Sequence, residues 1–217
     1  MIGLLIKDFK LMQAQKNFFI CIFAIAIVMA MFIEDSSFIV GFMTFIGLMF
    51  TLSTISYDEF DNGNAFMFSL PITRKDYIVE KYGFGLVVGG GSWLLATMIS
   101  VVVEVMKNSD FSLDTIMSAL TMLPVMLIIL AVLLPFQLKF GGEKAKVAII
   151  GAFGVVFIIG IIIVKIANLL NIDLISFFNN LPVISVGMLI VLAVGIPIIL
   201  LLLSAKISLS VMNKKEF

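Results

Sequence analysis

Six long apolar runs dominate this chain, each near the ~20 residues that a helix needs to cross a hydrocarbon core. They are roughly Asn17–Ile33, Phe38–Ser56, Gly83–Val105, Thr115–Gln137, Val147–Ala167 and Val183–Ala205. Runs of this length, without the period-two alternation of a barrel strand, predict helices, because in lipid the backbone has no partner but itself. A soluble core is excluded by composition. The chain is 62% apolar and 13% charged, with mean hydropathy +1.22, against about 45–50% and about 25% in soluble domains. The first run is the shortest and follows basic residues, as a signal peptide would. No small-residue cleavage site follows it and five more runs come after, so it is expected to stay as a helix, with Asn17 or Glu34 near an interface.

The chain has no histidine and one cysteine, Cys21. A disulfide within one chain and any histidine-based metal or catalytic site are therefore excluded. Cys21 sits inside the first run and is expected to be a small buried hydrophobe.

Basic residues orient the runs. An even number of spans puts both termini on one side. Twelve of the 14 Lys and Arg residues fall there: Lys7, Lys10, Lys16, Arg74, Lys75, Lys81, Lys139, Lys144, Lys146, Lys206, Lys214 and Lys215. Only Lys107 and Lys165 fall opposite. This predicts a multi-pass protein with both termini, the Phe140–Lys146 loop and the segment Tyr57–Tyr82 in the cytoplasm. The outer connections are then Glu34–Ser37, Met106–Asp114 and Asn168–Pro182, the last being apolar enough for an interfacial or re-entrant segment. The whole of 1–217 is expected to be one transmembrane domain, without a nucleotide-binding fold or Walker-type loop.

Two polar segments stand out. Residues 1–16 are amphipathic, with Ile2, Leu5, Phe9 and Met12 at helical spacing and Leu4 widening the stripe. Lys7, Asp8, Lys10, Gln13 and Lys16 fall away from that stripe, which predicts an interfacial helix leading into the first span. Residues 57–82, YDEFDNGNAFMFSLPITRKDYIVEKY, form the second segment. Asp58, Glu59 and Asp61 stand ahead of the apolar Ala65–Phe68, where carboxylates suit a helix dipole. Pro71 ends that helix near Leu70. Thr73 then caps a new helix from Arg74 that runs into the third span, with Asp76 completing a capping-box arrangement.

This second segment, in its six-span setting, resembles the permease subunits of type-2 ABC exporters. The resemblance rests on Glu59, Gly63, Ser69, Leu70, Pro71, Thr73, Arg74, Tyr77 and Lys81, and in topology it extends over the whole chain. It implies an all-α membrane protein of six transmembrane helices with an N-terminal interfacial helix and a cytoplasmic coupling helix. It implies docking of Asp58–Leu70 on a separate cytoplasmic ABC ATPase, through Asp58, Glu59, Asp61, Asn62, Phe66, Leu70, Pro71 and Arg74. ATP would be bound by that partner, leaving this chain without a cofactor, a metal or a catalytic role. A second permease copy would pair through spans one and five, so Gly151 and Gly154 are the candidate dimer interface. Among such permeases, the small domain-free form is similar to bacterial exporters of amphipathic peptides, including the phenol-soluble modulin exporters. The implied setting is a bacterial cell membrane, with amphipathic peptide cargo and no nucleic acid. Relatives of the same architecture serve in bacteriocin immunity, antibiotic resistance and ion efflux, and a non-transporting immunity or sensor role is the alternative.

Small residues inside spans predict close helix approach. Gly89-Gly90-Gly91-Ser92 in the third span is read as packing within the subunit, and Gly151, Gly154 and Gly160 in the fifth as a subunit interface. Pro124, Pro135 and Pro197 can bend their helices. Intramembrane charge is limited to Glu104 and Lys165 near the outer span ends, where snorkelling suffices. An intramembrane enzyme would need a carboxylate pair or a serine–lysine pair, and no two acids share membrane depth.

Overall fold

Among the residues described by the structure, a computed structural model covering residues 2–33, 35–60, 63–108, 113–169 and 185–215, the chain is helical, with no strand. The helices are α1 (Ile2–Ala14), α2 (Lys16–Phe32), α3 (Ser36–Glu59), α4 (Gly63–Ser69), α5 (Arg74–Asn108), α6 (Leu113–Phe140), α7 (Gly142–Leu169) and α8 (Val186–Asn213). Four of them, α3, α5, α6 and α8, are long and apolar enough to cross a membrane. The pair α1 and α2, bent by 65° at Gln15, makes a fifth span if counted as one. The expected run Val147–Ala167 lies within α7, and the expected outer segment Asn168–Pro182 lies, from residue 170 onward, outside the described residues.

Local chemistry sets the helix limits. Asp35 caps α3, its carboxylate accepting from the Ser37 N–H at 2.9 Å. Ser185 caps α8 in the same way through Met188. The break at Pro71 falls where expected, between α4 and α5. Thr73 caps α5 by accepting from the Asp76 N–H at 3.1 Å. The return leg differs from a capping box, because the Thr73 hydroxyl itself donates to the Asp76 carboxylate at 2.6 Å. α5 is a single helix of 35 residues, about 52 Å long at 1.5 Å per residue. It therefore extends well beyond a hydrocarbon core of ~30 Å, carrying Arg74–Tyr82 as its polar end. α6 continues through Pro124 and Pro135, and α8 through Pro197.

α3 is the central element, packed along α5 and α6. α8 lies along α6 and α5, and α7 rests on α6 with a lighter contact to α3. Leu48, Leu52, Ile55, Tyr77, Ile78, Leu130, Leu134 and Leu138 form the main core, joined by Leu4 of α1 and Met67 of α4. Lipid tails are as apolar as these side chains, so closeness of fit holds such a bundle together. Glycine supplies that closeness. A Cβ on Gly89 would lie 2.7 Å from Leu48 Cδ2, and one on Gly85 2.7 Å from Leu130 Cδ1. Gly90 and Gly91 face open space, as do Gly151, Gly154 and Gly160 on α7. Cys21 departs from expectation: it is exposed on the outer surface of α2, because that helix buries only its small-residue face, at Ala26 and Ala30.

Candidate functional site

The island 57–82 closes one end of the bundle, the end that also carries α1 and the end of α8. Its short helix α4 turns Asn64 and Met67 inward and leaves Phe66 71% exposed. Phe60 before it and Leu70 after it are 73% and 45% exposed, and Pro71 is exposed too. Gly63 allows the tight passage from α3 into α4, since a Cβ there would meet the Asp58 carbonyl oxygen at 2.7 Å. Ser69 and the backbone at Leu70 close the C-terminal turn on Phe66 and Met67. The result is a small apolar prominence standing on a polar base.

That base is a buried charge network joining three helices far apart in sequence. Lys81 of α5 is fully buried and pairs with Asp8 of α1, also fully buried. Its ammonium reaches Asp58 at 2.8 Å and the Thr54 hydroxyl at 3.0 Å, both on α3. Lys7 pairs with Asp58 and lies 3.1 Å from the Asp8 carboxylate. Tyr77 donates to Asp58 at 3.1 Å. Glu80, 1% exposed, lies against Asp8, with the Lys81 ammonium at 3.8 Å and no hydrogen-bond donor to either carboxylate oxygen among the described residues. Three carboxylates thus meet two ammonium groups in a buried place where each unpaired charge would be costly.

Electrostatics in α1 follow from this geometry. Burial pushes the Asp8 carboxyl upward, but the Lys81 and Lys7 ammonium groups outweigh it and hold the group below the ordinary aspartate range. Burial pulls Lys7 downward, and the Asp58 and Asp8 carboxylates outweigh that and hold it above the ordinary lysine range.

The other polar residues of the island also bond inward. Glu59 accepts from the Gly142 N–H at 2.9 Å and from the Lys215 ammonium at 2.8 Å, tying α3 to the α6–α7 turn and to the end of α8. Gly141 in that turn has φ +71°, and a Cβ on it would lie 2.6 Å from the Glu59 carboxylate. Only glycine serves both the left-handed turn and this approach. Arg74 donates to the Met212 carbonyl at 2.6 Å. Tyr82 meets Ser204 and Ser208 at 2.6 and 2.9 Å.

Of the expected docking residues, then, Asp58, Glu59 and Arg74 are tied into the bundle itself, while Phe66, Leu70 and Pro71 face outward. Asp61 and Asn62 lie outside the described residues. One expectation is corrected. Asp8, read as part of a polar face turned away from the apolar stripe, is completely buried. The inward face of α1 is wider than the expected stripe: Leu4 and Asp8 are buried, Leu5, Phe9, Leu11 and Met12 pack on the core beside them, and of the stripe only Ile2 is exposed. Lysines supplied by α5 and α1 itself make that burial tolerable. The spacing of Leu4, Asp8, Leu11 and Gln15 was the available sign, since it is as helical as the stripe first read. Glu80, Lys215 and Gly141 were missed altogether, and nothing local marks them.

A family model described as ABC-2 family transporter protein matches residues 3–213, nearly the whole chain. The chain belongs to the ABC-2 transporter family. As an ABC-2 permease it is a multi-pass membrane component of an ABC transporter, and its family implies partnership with an ABC ATPase subunit. Neither the curated proteins nor the solved structures returned a match. In this ABC-2 permease the island joins an outward-facing apolar prominence to a base tied to α1, α3 and α5.

Proposed function

We propose that this ABC-2 permease is the transmembrane subunit of an ATP-driven exporter in a bacterial cell membrane, moving amphipathic peptides or other apolar cargo outward. In this reading six spans are present, with α7 as the fifth and α2 as the first. α1 lies in the headgroup plane, and both termini and the island are cytoplasmic. Two copies assemble, with the open Gly151 and Gly154 face of α7 in their contact. α4 is the coupling helix, and its base transmits ATPase movement to α3 and α5 together.

The observation that carries this reading is the division of labour on the island. Apolar Phe60, Phe66 and Leu70 face outward, and the charges beneath them are spent on internal pairs. Large apolar side chains at the centre of a contact are typical binding anchors. The docking contact is therefore assigned to Phe60, Phe66, Leu70 and Pro71, with Asp58, Glu59 and Arg74 positioning them, and Asp61 and Asn62 stay in the docking set on the family resemblance alone.

Detergent co-purification with a co-expressed ATPase tests this. Phe66→Asp and Leu70→Asp should each weaken retention about thirtyfold, the effect of an anchor of about 2 kcal/mol, while melting stays unchanged. Full retention and full stimulated ATP hydrolysis in both variants would refute the docking role. Charge reversal at Asp58 or Glu59 is a poor test, because it would break the base as well. Transport into inverted vesicles separates an exporter from a non-transporting immunity or sensor protein.

A further inference from the structure

A second feature lies apart from the island. A cleft of about 1090 Å³ runs between α3, α6 and α7, at the top of the size range for sites that hold a single small ligand. Its deep walls are apolar, with Phe45, Met49, Ile129, Val132 and Ile149 among them. On α3 the lining runs from Phe45 to Tyr57, about 18 Å at helical rise. That is deeper than one hydrocarbon leaflet, which is half of ~30 Å.

The cleft is polar at one end only. Gln15, Tyr57, Gln137 and Lys146 gather where the island and the α6–α7 turn lie. Three of these groups are already engaged: Gln15 donates to the Tyr57 hydroxyl at 2.8 Å, and Gln137 to Ser56 at 2.9 Å. Lys146 is the sole charged residue of the lining, and among the described residues it has no ion-pair partner. Among the described residues no carboxylate lines the cleft. Lys139 and Lys144 stand exposed on the same turn. An apolar slot deeper than one leaflet, ending in a cation without an ion-pair partner among the described residues, matches a molecule with an acyl chain and an anionic head. Basic pockets between membrane helices on the cytoplasmic side hold anionic lipid headgroups for this reason.

We propose that this cleft is a binding site for an anionic phospholipid of the leaflet on the side of the termini, its acyl chain between α3 and α7 and its phosphate at Lys146. The lipid wedges α7 away from α3, where their direct contact is light. The site stands independently of any cargo.

The test uses the full chain in nanodiscs of equimolar phosphatidylglycerol and phosphatidylcholine, with retained lipid read by native mass spectrometry. Wild type should retain phosphatidylglycerol in preference to phosphatidylcholine. Lys146→Glu should lower that preference about fivefold, the effect of one lysine near an anionic surface. Lys206→Glu, an equal charge change on α8, should leave it unchanged. Val132→Trp and Met49→Trp, which fill the slot, should reduce retention of both lipids, and either one that melts like wild type is sufficient. Equal retention of the two lipids by wild type would overturn the proposal. So would a Lys146→Glu variant that behaves as wild type, or a protein dimer that carries no phosphatidylglycerol.

Discussion

The two ends of the bundle solve one problem in opposite ways. Both must keep polar groups inside an apolar protein. At the end that carries α1 and the last turn of α8, whole charges are paired across helices distant in sequence, fully buried for Asp8 with Lys81 and partly buried for Asp58 with Lys7 and Glu59 with Lys215. At the opposite end the polar contacts mix charges with neutral partners. Lys107 donates to the Ala30 carbonyl at 2.9 Å, Trp93 to the Ala119 carbonyl at 2.8 Å, and Thr115 to Glu104. A buried ion pair makes a small net contribution to stability, yet breaking one is severe because the remaining charge has nowhere to go. A hydrogen bond to a backbone carbonyl is weaker and more forgiving. Breaking one contact therefore costs more at the first end than at the other.

The largest effect that would break this comparison is at Lys81. Lys81→Ala leaves Asp8 and Asp58 facing each other with Lys7 alone, and should destabilise the protein by about 3–5 kcal/mol. Thermal melting in detergent measures it, and an unchanged midpoint would mean that the network holds nothing.

At the opposite end, Thr115→Val removes the donor to Glu104 and should lose only about 1.5–3 kcal/mol by the same measurement. An equal or larger loss than at Lys81 would reverse the contrast between the ends.

Glu80→Gln sharpens it further. Burial pushes the Glu80 carboxyl up to about 7, so above that pH an amide can donate to the Asp8 carboxylate where the ion cannot, and there this variant should gain about 1 kcal/mol. A loss of stability would show that the network depends on the third negative charge.

The mildest probe is pH. Asp8 titrates below its ordinary 3.8 in the folded protein, so its contribution is complete above that value and is lost as pH falls through the depressed one. Lys7 titrates above its ordinary 10.5, so its contribution is complete below that value and is lost as pH rises through the elevated one. Melting should therefore fall at both extremes, with a decline between about pH 4.5 and 7 as Glu80, pushed up to about 7 by burial, ionises. Asp8→Asn should remove the acid limb and weaken the alkaline one, because the Asp8 carboxylate also helps hold Lys7 up.

How much of this could be read from residue order varies with range. The break at Pro71, the Thr73 cap and the continuity of Arg74–Tyr82 with the third span depend on neighbours within a few residues, and all were predictable. The close fit of Gly89 against Leu48 was foreseeable as packing in the third span, though its partner was not. The inward turn of Asp58 and Glu59 was invisible, since a run of acids before a short helix reads equally well as a face for water or for a partner.

Residue order alone determined that this chain must be a helical membrane protein, because uninterrupted apolar runs leave the backbone no other way to satisfy itself in lipid. It also placed the helix breaks and caps, since these are local. Tertiary structure alone decided which charges are handles and which are fasteners. Asp8 meets Lys81 across 73 residues, Glu59 meets Lys215 across 156, and Arg74 meets the Met212 carbonyl across 138. Periodicity assigns a residue to a face of its own helix. Only packing brings a second helix to that face, and with it the opposite charge that makes burial possible.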